Sequence, residues 1–293
     1  MASIKILVVY HKPTMLIQTK VYTPIHAGRS IQSKRHKDGR MDESELKWLN
    51  TNMIGDDTGK ENIASLNREF CELTALYWAW KNPNLINFPE YLGLTHYRRF
   101  FIFDDRQNNE PIIYLNCDSS SLHEWNEHCF NDELIHSMVP KYDIVLPKQL
   151  DFNKETVQMQ FEKCHFPGSL QLMIEVIQKL YPEYYASAKY YLSQNKFWAW
   201  NMQIMKWSLT EQFCKWFFDI LFEVHRKIDY KIIPQQYREK RTIAFLSERL
   251  FGIFITKLIK DGNHKIKELH TLRLISDMST AKTSCQKQKK DNL

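Results

Sequence analysis

Three features of the sequence predict an α/β fold, an α/β layer in the first half with covering helices supplied by a mainly helical C-terminal half. Short β-branched runs such as "IKILVVY" recur through the first 150 residues. An amphipathic helical pattern separates them, and after Leu170 the apolar residues recur mainly at three- and four-residue steps. The 293 residues are 43% hydrophobic, enough to fill one large core, so residues 1–280 read as a single domain with an α/β half (1–150) and a helical half (151–280). The basic end "AKTSCQKQKKDNL" reads as a flexible tail over 281–293.

The elements follow in order. The run Ile4–Tyr10 is broken by His11, Lys12 and Pro13 and fits a buried first strand, whose end opens toward a ligand crevice if the sheet is parallel. "YTPIHAGRS" holds a second strand, and the polar stretch from there to Asn52 reads as a loop. Gly55, Asp56, Asp57 and Gly59 mark a turn. Phe70, Leu73, Leu76, Tyr77 and Trp80 then predict a helix over Asn67–Lys81, stopped by Asn82 and Pro83. Tyr91–Tyr97 and Tyr142–Lys148 read as strands on either side of a polar loop. Three helices complete the chain, carried by Leu170 to Leu180, Leu209 to Val224 and Ile243 to Leu258.

Several function classes drop out. No apolar run reaches the roughly 18–20 residues needed to span a bilayer, and the start turns polar too early for a secretory signal, so a cytoplasmic protein is expected. The six cysteines show no C-x-x-C spacing and sit among apolar residues, which predicts reduced thiols. Only eight glycines occur and none builds G-x-G-x-x-G or a Walker loop; G-x-S-x-G and H-E-x-x-H are absent too. His123, His128, Cys129 and His136 match no zinc spacing and read as a solvated loop. The aromatic residues keep helical spacing and point to core rather than to base stacking, so no nucleic-acid partner is expected. A net charge of +6 nevertheless suits an anionic partner, which could be a nucleotide or the face of a membrane.

One stretch, "YLGLTHYRRFFIFDD", asks for an explanation, because an apolar strand ends in His96, Tyr97, Arg98 and Arg99 where a plain turn would do. Together with "IGDDTGKENIASLNREFCELTALYWAWKN", "YDIVLPK", "NMQIMKW", "WFFDILFEV" and "FLSERL", it resembles the bacterial capsular polysaccharide and lipopolysaccharide glycosyltransferases long catalogued as a domain of unknown function. Some of these transfer galactofuranose. The resemblance runs from about Lys5 to Leu258 and rests on the order of the motifs.

The resemblance implies a GT-A-like fold, a Rossmann-type mixed sheet flanked by helices with a mainly helical C-terminal half, in which 1–150 binds the nucleotide sugar and 151–280 is the acceptor side. Most GT-A enzymes end the central strand in an acidic D-x-D motif that holds a divalent cation against the donor diphosphate. Here Arg98 and Arg99 stand in the similar place, and guanidinium groups can neutralise a leaving diphosphate without a metal. Asp104 and Asp105 keep a magnesium or manganese site open. Glu248 in "FLSERL" is the expected catalytic base of an inverting transfer, on a helical face with Ala244 and Gly252 leaving its approach clear. Among expected substrate-binding residues, His11 and Lys12 follow the first strand, Gly28 and Arg29 match the family's "G-R", and Asp57 suits a base or ribose contact. His96, Tyr97, Asn201 and Met202 complete the set, whereas His165 reads as a site residue or merely a helix-start histidine. The implied reaction moves galactofuranose or galactose from a UDP-sugar to an oligosaccharide or lipid-linked glycan acceptor, with peripheral contact at the inner membrane surface possible. A non-catalytic nucleotide-sugar-binding component of the same fold is the alternative.

Overall fold

The computed structural model describes residues 1–33, 40–104, 110–116, 125–229, 231, 233 and 241–275. Asp105, Cys117, His123, Cys285 and the expected basic tail lie outside the described residues. A ten-stranded mixed sheet organises the chain. Strands β1 (Ile4–Tyr10), β2 (Tyr22–His26), β3 (Ile54–Gly55) and β4 (Tyr91–His96) run parallel in the order β3-β2-β1-β4. Beyond β4, the antiparallel β10 (Gln203–Lys206) separates it from β7 (Ile144–Pro147), and β11 (Ile266–Leu269) lies parallel to β7. At the end of β4 the chain turns into β5 (Arg99–Phe101), which joins β12 (Thr271–Ile275) and β6 (Ile112–Asn116). A separate pair, β8 (Leu150–Asp151) and β9 (Lys196–Phe197), stands apart.

Strand alternation divides the core between the two faces of the sheet. Leu7, Val9, Leu92, Leu94, Ile144 and Leu146 face the main helical layer, while Ile6, Val8, Tyr10 and Val145 face the other side with Phe100, Ile135 and Leu272. The helical layer holds α2 (Asn67–Phe70), α3 (Leu73–Lys81), α5 (Val157–Cys164), α6 (Pro167–Leu180), α7 (Tyr185–Leu192), α8 (Trp207–Lys227) and α9 (Thr242–Asp261). On the opposite side lie α1 (Glu43–Asn52) and α4 (Asp132–Met138).

Three differences from the sequence expectation have physical causes. The polar stretch before Asn52 is not all loop, because Asp42 and Glu45 form a reciprocal capping box that starts α1, a helix with Leu49 as its buried residue. The helix expected over Asn67–Lys81 breaks at Cys71, whose φ of 49° lies outside helical space; the Asn67 side chain donates to the freed Cys71 carbonyl at 2.8 Å. The second half is mainly helical, yet it also supplies β10, β11 and β12, runs too short for periodicity to declare.

Candidate active site

All the parallel strands end at one edge of the sheet. Val9 stands opposite His96, Tyr10 opposite His26 and His26 opposite Gly55. β10 enters from the same edge, with Gln203 opposite Leu94, so Trp200 and Asn201 arrive beside the end of β4. This edge is where open α/β sheets place their ligands.

The stretch His96-Tyr97-Arg98-Arg99 is a tight hairpin in which His96 pairs with Arg99. His96 is in phase with Leu92 and Leu94 and therefore faces the helical layer, and Arg99, directly across the pair, shares that face. Tyr97 turns the other way, stacked on Tyr10 with ring centroids 5.8 Å apart and set edge-on to His11 at 5.2 Å. Arg98 is exposed at the turn, its guanidinium 4.9 Å from the centre of the Tyr97 ring. Only Arg99 of the two arginines turns toward the helices.

Trp200 and Asn201 are both left-handed, with φ of 72° and 53°, a conformation rarely adopted by a tryptophan. Polar contacts from three elements hold them. Glu248 of α9 accepts the Trp200 N–H at 2.9 Å, and the Trp200 carbonyl lies 2.7 Å from His96 Nε2. The Asn201 amide donates to Glu72, at the start of α3, at 2.8 Å and to Ser247 of α9 at 3.0 Å. The Arg99 guanidinium sits 5.1 Å from the centre of the Trp200 ring. A carbonyl can only accept, so His96 carries its proton on Nε2.

The electrostatics follow from this packing. Burial, and then the positive Arg99, push His96 down to about 3, so it is neutral and serves to hold the Trp200 carbonyl. Burial also raises the Glu248 carboxyl, with Glu72 adding to the rise, against the pull of Arg249, the Trp200 N–H and Arg99. Arg249, only 2% exposed, meets the other Glu248 oxygen at 3.1 Å through Nη1, which also donates to the Phe245 carbonyl, while its Nη2 donates to Gln160. Arg99 is held down to about 10 by burial and by two neighbouring cations, Arg273 and Arg98, while Glu72 and Glu248 pull it up. Arg99 thus stands between a pair of carboxylates and a pair of guanidiniums.

The other expected residues are placed as follows. Gly28, left-handed at φ 76°, closes β2; a Cβ there would meet the Asn67 side chain at 2.6 Å. Asp56, fully buried, accepts from Gly28 N, Arg29 N and Thr74 Oγ1 at 2.7, 3.1 and 2.6 Å, and burial raises its carboxyl. Arg29 gives its guanidinium to Asp57 at 2.6 Å, so these two satisfy each other at the rim. His11 is exposed and Lys12 partly so, just past β1. Met202 is buried in the core. His165 caps α5 and stacks on Phe245 with centroids 4.0 Å apart. The approach expected beside Glu248 is closed on one side, since the Tyr191 ring fills the space over Gly252.

Of the two residues of the metal alternative, Asp104 is paired with His128 at 2.9 Å and Asp105 lies outside the described residues; among the described residues no group of three or more His, Cys, Asp or Glu could hold an ion. Four participants were missed from the sequence. Glu72 and Ser247 are single polar residues inside apolar helical patterns, Trp200 reads as one more core aromatic, and Arg273 lies beyond the resembling segments. A shallow surface groove between α6 and α8, lined by Leu180, Tyr181, Asp219, Phe222, Glu223 and Arg226, holds no strand-end residue and is not part of this site.

The model of a family described as "Domain of unknown function (DUF4422)" matches residues 5–260. Among solved structures, the chain is similar to the apo structure of the WbbM bifunctional glycosyltransferase, with a TM-score of 0.79 and 29% identity over 93% of this chain. The chain spans 45% of the length of that protein. No curated protein matches.

Proposed function

From the premise that the chain belongs to the DUF4422 family, we propose that it is a glycosyltransferase that uses a UDP-sugar donor, with its reaction centre at the strand edge around Arg99. One observation carries the reading. Arg99 is half-buried between carboxylates and guanidiniums, at the place where an open α/β sheet receives a nucleotide. The likeness to a bifunctional glycosyltransferase supports the reaction class.

In this reading the acceptor hydroxyl attacks the anomeric carbon, its proton passes to Glu248, and the bond to the donor diphosphate breaks with inversion. The charge released onto the diphosphate is taken by Arg99, with Arg98 at the rim. His11, Lys12, Gly28, Arg29 and Asp57 border the nucleotide end, and Tyr97 and His96 support the hairpin. Asn201 and Met202 fix the loop between donor and acceptor. The sugar is galactofuranose or galactose, the acceptor a capsular or lipopolysaccharide glycan, and the site of action the cytoplasmic membrane face. No helix among the described residues is long and apolar enough to cross a membrane.

Calorimetric titration with UDP and UDP-sugars, in chelator and with manganese, tests the donor. Binding in chelator is expected. Binding that requires manganese would replace the arginine account of the diphosphate, and no binding under either condition would remove the UDP-sugar reading. Glu248→Gln is expected to keep donor affinity within about twofold and to lose turnover by a factor of about 10² or more. Full turnover in that variant would take the base role from Glu248.

A further inference from the structure

Strand β12 places Arg273 directly opposite Arg99 in an antiparallel pair, so the two side chains leave the sheet on the same face. Leu272 and Leu274, on either side, pack into the opposite core, which confirms the phase. Like charges directly opposed on a sheet repel. Arg98, one residue away at the turn, adds a third positive charge, and its carbonyl accepts the Leu274 N–H of β12 at 2.9 Å. Among the described residues, Arg98, Arg99 and Arg273 form no ion pair with any carboxylate, although surface arginines such as Arg29 and Arg226 do. The Arg99 Nε is buried and makes no hydrogen bond, and the Arg273 guanidinium rests 5.6 Å from the centre of the Tyr114 ring.

Two guanidiniums opposed on one face, with a third at the adjoining exposed turn and none in a direct ion pair among the described residues, make a site for a polyanion. We propose that Arg273, with Arg99 and Arg98, forms a three-guanidinium cradle that binds the diphosphate of the donor, so that the last described strand completes the donor site. This rests on the glycosyltransferase reading for the identity of the anion, but the cradle itself is read from strand register. A diphosphate offers several equatorial oxygens to planar forks, and Arg suits that geometry better than Lys. Its negative charge replaces the repulsion between Arg99 and Arg273 by attraction, so binding the anion tightens the β5–β12 pair.

The test uses the full chain with two probes, UDP and inorganic pyrophosphate, in chelator. Calorimetry and thermal denaturation are applied to the wild type, Arg273→Gln, Arg273→Lys, Arg99→Gln and the remote control Arg226→Gln. In Arg273→Gln, affinity for both probes is expected to fall by about tenfold to a hundredfold, the loss of one charge-assisted contact. Arg273→Lys recovers only part of that, and the control is unchanged. The ligand-free Arg273→Gln protein is expected to melt higher than wild type, because a like-charge pair is gone, while its stabilisation by pyrophosphate shrinks. A merely structural arginine would give the opposite, a lower melting temperature with the pyrophosphate shift retained. Unchanged affinity in Arg273→Gln with weakened affinity in Arg99→Gln overturns the cradle and leaves the donor reading standing. Pyrophosphate binding that depends on Arg273, with no binding of UDP, upholds the cradle and removes the UDP-sugar reading. A wild type that binds neither probe overturns both.

Discussion

A left-handed tryptophan followed by a left-handed asparagine costs about 1–3 kcal/mol per residue in backbone strain, and the contacts around Trp200 and Asn201 show what offsets it. Asn201→Gly keeps the backbone conformation but gives up the bonds to Glu72 and Ser247, and is expected to be about 1 kcal/mol more stable than Asn201→Ala while losing turnover. Asn201→Ala adds strain and is expected to lose about 1–3 kcal/mol in urea denaturation. Equal stability of the two variants would show that the turn is not strained. His96 supplies a second residue-level test. Its folded value near 3 lies below the ordinary 6.5, so the unfolded chain takes up the proton first. The stability from the neutral ring is therefore complete above about pH 6.5 and is lost as pH falls toward 3, by up to about 1.4 kcal/mol per unit. His165, held down to about 4 by burial and Arg249, acts in the same direction. Urea titrations at pH 7, 6 and 5 should show a shallower loss in His96→Gln than in wild type; parallel slopes would count against a neutral buried His96. The raised Glu248 carboxyl sets the sign for activity, because a base must be ionised. The acid limb of kcat/KM is expected above the ordinary glutamate range, and a limb at or below 4.5 would mean that Glu248 is not the group titrating.

At the scale of the element, packing decides what substitution does. A Cβ at Gly252 would lie 2.0 Å from the Tyr191 ring, so α7 and α9 approach as they do only because that position has no side chain. Gly252→Ala is expected to cost about 1–3 kcal/mol in thermal denaturation despite its better helix propensity, and a neutral result would mean that Tyr191 moves freely. Asp56 ties β2 to α3 through three donors, all facing carboxylate oxygens. Asp56→Asn turns an amide toward at least one of them and is expected to destabilise by about 1–3 kcal/mol. The same packing explains which elements were legible. The helices α6, α8 and α9 announce themselves through long apolar stripes such as Phe213, Phe217, Ile220 and Val224. α1 does not, since Leu49 is its buried residue and its start is fixed by Asp42 and Glu45. β10 is four residues long and buried on both faces, which periodicity cannot tell from a piece of helix.

For the whole molecule, the sheet joins the beginning, middle and end of the chain. β1 and β4 could be read from their apolar runs, and their ends mark the edge at which the candidate site lies. What could not be read was the partner set, because Glu72 and Ser247 meet Asn201, and Trp200 and Arg273 meet Arg99, only through crossovers and register. Arg98 and Arg99 look equivalent in the sequence; a single hairpin pairing separates them, exposing one and turning the other inward. A chain ending at residue 265 lacks β11 and β12 and leaves the β7 edge and β5 without those partners. It is expected to lose cooperative thermal unfolding, and retention of a sharp transition would show that the remaining sheet is sufficient.

The late position of β12 also bears on how the protein is made. On a ribosome, the strand that faces Arg99 emerges some 260 residues after β1, roughly 13–50 s later at ordinary rates of synthesis. The parallel β1–β2 and β1–β4 pairs can form in the nascent chain once β4 has emerged, while on the proposed reading the arginine cradle waits for β12.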